Sequence, residues 1–218
     1  MARNLLKRTK MRSRRGFTLI ELMLAVAIAG ILAGVTVWRI DATLPGWRAR
    51  AVARWTLQKS REASALAARL NRPVELRVSA DGAAGCSPSI TLQDVPLAGG
   101  TATVYDRLCL DEYPGITLGT GGTANDIRCA EEQTAGLQAL PNCSMCAGAP
   151  DAATLANVVR VFPSGEVATV AGSQGATISF TSARNPTREN TVAVGIRNVS
   201  GRSQIYRPIA TGTRWACK

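Results

Sequence analysis

Glu21 is the residue whose position demands a chemical explanation. It opens an apolar run: residues 22–38 carry no charge, and only Gly30, Gly34 and Thr36 among them are not hydrophobic. A helix needs roughly 20 residues to cross a bilayer, and residues 17–38 supply that length. A carboxylate inside such a span costs about 2.5–3.5 kcal/mol unless it is paired, so it reads as functional. Ahead of the run stand Arg3, Lys7, Arg8, Lys10, Arg12, Arg14 and Arg15, with no acid among them. Positive charge flanking an apolar helix holds that end in the cytoplasm.

The second chemically capable set is Cys86, Cys109, Cys129, Cys143, Cys146 and Cys217. An even number of cysteines beyond an export segment points to disulfides in an oxidising compartment. Six cysteines allow fifteen pairings, and nothing in the spacing chooses among them. Cys143-Ser-Met-Cys146 has the CxxC spacing of a metal half-site or a redox motif. The chain has no histidine and no second CxxC pair, so a zinc site lacks partners. A redox motif would want a βαβ setting, which the pattern does not provide. The reading is structural disulfides, with no metal and no cofactor.

Enzyme chemistry finds little support. Without histidine there is no Ser-His-Asp or Cys-His arrangement. Asp111-Glu112 and Glu131-Glu132 are adjacent acids in loop-like sequence; neighbours in an extended chain point apart, so they read as solvated loop residues. Gly119-Thr120-Gly121-Gly122-Thr123 lacks the lysine of a phosphate-binding loop and reads as a flexible loop. No enzymatic activity is expected.

The 218 residues carry a net charge of +11, and its distribution matters more than its sum. Residues 1–16 hold seven bases, 39–70 seven bases and two acids, 71–150 four bases and nine acids, and 184–218 seven bases and one acid. The middle is acidic and the C-terminal end basic, the asymmetry of either a polyanion-binding face or a solvated surface.

The elements that would position these residues are set by periodicity. Pro45-Gly46 is expected to kink or break a long N-terminal helix. Helical spacing resumes over 48–70, where Val52, Trp55, Ala63, Leu66 and Leu70 form a stripe and Lys59 fills one turn with its aliphatic stem. Arg48, Arg50, Arg54 and Arg61 would face outward. Asn71-Arg72-Pro73 ends the helix. Alternation then predicts strands at 74–78, 90–95, 101–110, 157–162, 166–170, 176–181, 191–198 and 202–207. Residues 111–152 hold six glycines and three cysteines with little period, and read as a long loop or insertion stapled by disulfides.

The stretch Gly16-Phe17-Thr18-Leu19-Ile20-Glu21-Leu22, behind a basic leader and before an apolar helix, resembles the type IV prepilins. The resemblance implies cleavage after Gly16 by a prepilin peptidase, N-methylation of Phe17, and pairing of Glu21 with the N-terminal amine of a neighbouring subunit. An amine at the membrane edge is a suitable counter-charge for an otherwise unpaired carboxylate. A secretory signal cut near Ala33-Gly34 and a plain membrane anchor are the competing readings of the same run. Downstream, Leu57-Gln58-Lys59-Ser60-Arg61-Glu62-Ala63 with Asn71-Arg72-Pro73-Val74-Glu75-Leu76 resembles the GspH/FimT group of minor pilins and pseudopilins. Val161-Phe162-Pro163-Ser164-Gly165 and Val199-Ser200-Gly201-Arg202 resemble two hairpins of that group.

The implied fold is α+β and type IV pilin-like: a leader at 1–16, an N-terminal helix at 17–70 with 17–38 transmembrane, and a β-rich head at 71–218 built on antiparallel sheets. The implied place is the bacterial inner membrane, single-pass with the head in the periplasm, then a pilus or pseudopilus. The implied partners are other pilins or pseudopilins and the peptidase. The implied role is a minor pilin of a type IV pilus, with pseudopilin H of a type II secretion system as one alternative. A second alternative is DNA uptake through the basic end, since some FimT-like pilins bind DNA through a C-terminal Gly-Arg-x-Arg. Here that stretch reads Gly201-Arg202-Ser203-Gln204, without the second arginine. Arg197, Arg202, Arg207 and Arg214 are the candidate DNA contacts.

Overall fold

The computed structural model describes residues 17–79, 86–96, 100–119, 127–135, 138, 140, 143–146, 151, 154–170, 173–184, 190–198, 201–208 and 215–217, with backbone alone for 36–43, 130 and 131. The leader therefore lies outside the described residues. The chain divides into two compact units, Met1–Ala42 and Thr43–Lys218.

Helix α1 (Leu19–Leu70) is 52 residues long and is continuous through Pro45, so the expected break does not occur. Proline removes one backbone hydrogen bond. The turns beyond it are held by tertiary packing, which carries most helical stability in proteins. The helix ends at Asn71, which takes the left-handed conformation (φ 50°). There Arg72 N–H reaches the Ala67 carbonyl and Asn71 N–H the Ala68 carbonyl, a Schellman stop that Pro73 makes final.

The head holds two antiparallel sheets. The first joins β1 (Val74–Ser79), β2 (Ser89–Asp94), β3 (Val104–Cys109), β5 (Val158–Val161) and β6 (Val167–Ala168) in the order β3-β2-β1-β5-β6. The second joins β4 (Ile116–Leu118), β7 (Gly175–Ser182), β8 (Val192–Arg197), β9 (Ser203–Pro208) and β10 (Trp215–Cys217) in the order β10-β9-β8-β7-β4. A 3-10 turn, Leu110–Glu112, and a short helix α2 (Ala130–Thr134) complete the described elements. The α+β architecture of a long N-terminal helix and antiparallel sheets is therefore as the sequence implies.

One core joins α1 to both sheets. Ala49, Val52, Ala53, Ala63, Leu66 and Ala67 of the helix share a buried cluster with Leu76 and Val78 of β1, Ile90 and Leu92 of β2, and Ile178, Phe180, Val194 and Ile205 of the second sheet. Small residues dominate the helix side. Trp55 and Leu70, expected in the stripe, pack half-buried against this core. Lys59 lays its cation 5.9 Å over the Trp55 ring and pairs with Glu62 and with Asp106 of β3, both at 2.7 Å. Arg54 and Arg61 face outward as expected, but Arg48 and Arg50 are half-buried. Arg48 donates to the Pro114 carbonyl at 2.7 Å.

Residues 111–152 are more than an insertion. They supply β4, which pairs with β7. They also supply Ile127, Cys129 and Leu140, which form a second buried cluster with Ala193, Tyr206 and Trp215. That cluster covers the face of β8 turned away from α1, because residues alternate faces along a strand. Gly195 makes room there: a Cβ would stand 2.6 Å from both Leu140 Cδ1 and Tyr206 Cε2. Gly195→Ala is expected to destabilise the head by about 1–3 kcal/mol, the usual range for overpacking a core. Chemical denaturation of the purified protein checks this, and an unchanged midpoint would mean that Leu140 and Tyr206 do not pack on β8.

Candidate functional site

The first turn of α1 carries the chemistry read from the N-terminal stretch. Thr18 is the residue before the helix. Its Oγ1 accepts the Glu21 N–H at 3.3 Å, and its carbonyl accepts the N–H groups of Glu21 and Leu22 at 3.1 and 3.2 Å. Thr18 is thus an N-cap, a position worth about 0.5–2 kcal/mol. Thr18-Leu19-Ile20-Glu21 has the spacing of a capping box, a signal present in the sequence that the reading of Glu21 as a buried charge passed over. The acid also sits in the first turn, at the positive end of the helix dipole. Gly16 lies outside the described residues.

Over residues 22–35 the helix surface is apolar and exposed all round. Phe17, just ahead of it, is 80% exposed, Leu24 62%, Ile31 69% and Val35 54%. A helix that is apolar on every face is stable only when surrounded by lipid or by other apolar helices. Among the described residues no helix is long and apolar enough to cross a membrane. The uncharged apolar stretch with described side chains is 22–35, shorter than the roughly 20 residues a span needs.

The C-terminal end is built differently from the expectation. The β8–β9 hairpin forms, with Ile196 opposite Ser203. Arg197, however, points into the fold and is only 6% exposed. Its Nε donates to Glu132 Oε1 at 2.9 Å and its Nη1 to the Gln138 carbonyl at 2.8 Å. Tyr206 Oη donates to the same Glu132 oxygen at 2.7 Å, and Cys129 N–H reaches Oε2 at 3.4 Å. Glu132 is therefore a buried carboxylate with three donors, not a solvated loop acid. Arg197 is committed to it and unavailable to a phosphate, which corrects its reading as a DNA contact. Arg202 is exposed, Arg207 half-buried, and Arg214 outside the described residues. The hairpin does not gather these arginines on one face.

The cysteines pair as Cys86–Cys109, Cys129–Cys217 and Cys143–Cys146, with Cα–Cα distances of 5.0, 5.6 and 5.3 Å. The first ties the chain before β2 to the end of β3. The second ties the segment under β8 to the last strand. The third closes a tight clip whose Ser144 and Met145 N–H groups bond to Thr177 of β7. Cys129, Glu132 and Cys217 bring two sulfurs and a carboxylate within 4.8 Å, but these sulfurs are bonded to each other, which removes the thiolates a metal would need. Of the adjacent acids, Asp111 accepts the Ser87 N–H at 3.2 Å and Glu112 is exposed. The glycine-rich loop after Gly119 lies outside the described residues.

The buried Glu132 cluster has a pH signature. Burial pushes the Glu132 carboxyl up, but the hydrogen bonds from Arg197 and Tyr206 and the charge of Arg197 outweigh it and hold it below its ordinary 4.5. Burial and the neighbouring carboxylate both raise Tyr206 above its ordinary 10.0. A depressed acid contributes stability above its unfolded value and loses it as pH falls through the folded one. A raised tyrosine contributes below its unfolded value and loses it as pH rises further. Stability is thus expected to be level between these limits and to fall beyond each. Glu132→Gln is expected to cost about 3–5 kcal/mol, because it strands the Arg197 charge, and to flatten the acid-side fall. Thermal melts of both proteins from pH 3 to 11 check this; a variant melting like the wild type would refute the lock.

Comparison with known proteins adds one finding at the other end of the chain. The model of the prokaryotic N-terminal methylation motif matches residues 11–37. Neither the curated proteins nor the solved structures contain a match. With a capped first turn that presents Phe17 and Glu21 at the head of an all-round apolar helix, the motif indicates a type IV prepilin-like protein.

Proposed function

We propose that this chain is a minor pilin of a type IV pilus, of the GspH/FimT kind, whose helix α1 assembles it into the filament or into its tip complex. The observation that carries the reading is the arrangement at the start of α1. Phe17 stands after the glycine at which a prepilin peptidase would cut, and Glu21 stands in the first turn at the edge of an apolar surface with no cover of its own. In this reading residues 1–16 hold the cytoplasmic side, 17–38 pass once through the inner membrane, and the head lies in the periplasm. Cleavage creates an amine at Phe17, methylation caps it, and Glu21 of one subunit pairs with that amine on a neighbour.

The head supports this reading at several points. The stop at Asn71-Arg72-Pro73 passes directly into β1, the Phe162-Pro163-Ser164-Gly165 turn joins β5 to β6 with a bond from Phe162 N–H to the Glu166 carbonyl, and a hairpin closes β8 on β9. Three disulfides suit an oxidising compartment. The same N-terminal chemistry would serve a type II secretion pseudopilin, and the filament in which the protein is found decides between them. DNA uptake through the β8–β9 hairpin is not favoured, because Arg197 is held by Glu132.

The mature protein is expected to begin at Phe17, methylated on its amine. Mass spectrometry of the N-terminal peptide tests this; an end near Gly34, or an uncut chain, would overturn the reading. Glu21→Ala should stay in the membrane fraction, since its span has lost its only charge, yet fail to enter filaments. Incorporation of that variant at the wild-type level would remove the pairing role.

A further inference from the structure

Where β5 and β7 begin, the two sheets of the head leave a cavity of about 220 Å³. Val158 of β5 and Ala176 of β7 form two of its walls, Met145 and Leu155 two more, and Val170 stands at its mouth, 41% exposed. Natural interiors hold few voids larger than a water molecule, so an apolar space of this size calls for an explanation. Among the described residues no charged side chain lines it. Three hydroxyls do, and each directs its proton to the protein. Thr169 donates to Asn198 Oδ1 at 2.8 Å, Ser173 to the Val170 carbonyl at 2.8 Å, and Ser144 to the Thr177 carbonyl at 3.5 Å. The Ser144 oxygen also accepts the Thr177 N–H at 2.8 Å. The cavity therefore offers apolar surface and no charge.

The walls are held in place, partly in a strained backbone. The Cys143–Cys146 bond closes the clip that carries Ser144 and Met145. Ser144 N–H bonds to Thr177 Oγ1 and Met145 N–H to the Thr177 carbonyl, both at 3.0 Å. Met145 is buried and shares the main core with Ala176. Four non-glycine residues among those described take a positive φ. One, Asn71, ends α1. The other three cluster here: Leu155 (φ 58°) lines the cavity, Asn157 (φ 54°) precedes Val158, and Cys143 (φ 52°) precedes Ser144. This left-handed conformation is uncommon outside glycine, and an outlier for a bulky residue such as leucine. Backbone strain of this kind gathers at functional sites such as ligand clamps.

We propose that this cavity binds one small, uncharged aromatic molecule. An apolar cavity of roughly 150 Å³ holds a benzene ring. In proportion, this one takes roughly nine heavy atoms, a ring with a short substituent. The Met145 sulfur favours an aromatic occupant, because a thioether makes favourable contacts with ring edges. A small molecule also suits the mouth better than a protein does. A stable protein interface covers about 800 Å² on each partner, and Val170 stands apart from other apolar surface. Among the described residues after α1, the other large apolar side chains of comparable exposure are Val104 and Tyr105, on β3, at the far edge of the first sheet from β5 and β6. The site lies wholly in the head, so it stands apart from the assembly reading of α1.

The test follows the Met145 methyl resonance of the full-length, methyl-labelled protein in maltoside micelles as ethylbenzene is added. That resonance, assigned by its loss in Met145→Leu, is expected to shift and to saturate. Met23, exposed on the apolar helix, reports partitioning of ethylbenzene into the micelle and is expected to drift without saturating. Benzoate, an aromatic that carries a charge, should leave Met145 unmoved. Ala176→Leu fills the cavity from within, and Val170→Trp covers its mouth. Each should abolish the saturable shift, and the second, at an exposed position, keeps the test open where the first disturbs the fold. Absence of a saturable Met145 shift, a shift that parallels Met23, an equal response to benzoate, or a response that survives in a folded variant would overturn the site. A Met145 shift that appears on raising the protein concentration without ethylbenzene would assign the cavity to a side chain of a second copy and overturn the small-molecule proposal. The measurement is independent of cleavage at Phe17, so a failed prepilin reading and a failed cavity site give different results.

Discussion

Strand β8 has no wet face, and much of the head depends on that constraint. All six residues from Val192 to Arg197 are buried, and a strand buried on both sides must be covered twice. On one side Val192, Val194 and Ile196 meet the core that α1 closes. On the other, Ala193, Gly195 and Arg197 present two small residues and a charge. Only a segment bringing bulk and an acid can complete that surface. Residues 127–140 bring both: Ile127 and Leu140 fill the space over Ala193 and Gly195, and Glu132 neutralises Arg197. The disulfide Cys129–Cys217 then fixes the covering segment to the strand at the sheet's edge. Cover, ion pair and disulfide are three parts of one solution.

The other unit has the reverse problem. The C-terminal part of α1 has a face buried in the head, whereas its N-terminal part is apolar on every side and exposed. The capped first turn sets Glu21 at the start of that surface. A chain that covers β8 twice over, yet leaves an apolar helix bare, is built to be completed from outside. The methylation motif at 11–37 overlaps this part of the chain.

Much of this was legible in the sequence. The helical stripe and most of the strands could be read from spacing, the stop at Asn71-Arg72-Pro73 and the two-residue β6 from the turn residues that precede them or form them, and the N-terminal stretch from its resemblance to the prepilins. The features that escaped have identifiable causes. Strands β4 and β10 are three residues each, too short to show alternation. Residues 111–152 lose their period to glycine and cysteine. Their role is defined by the surface they cover, which lies far away in the chain and appears in the sequence only as the alternation of Ala193 and Gly195 with valine and isoleucine. Glu132 and Arg197 are 65 residues apart, so no local pattern marks them as partners, and each alone looks like a surface charge. Pro45 does not break the helix because local propensity gives way to the packing of the turns beyond it.

The Cys129–Cys217 bond has a mechanical meaning. In the filament role proposed above, the chain would be loaded along its length, and a folded head under load fails by releasing chain. This bond closes a loop spanning 88 residues, which contains β5 to β9 and therefore most of the second sheet. Stretched out, that length of chain would reach about 300 Å at roughly 3.3–3.6 Å per residue. Because the loop is closed covalently, tension transmitted from α1 toward the last strand passes through the sulfurs and bypasses it. The head can be deformed, but most of its chain cannot be drawn out.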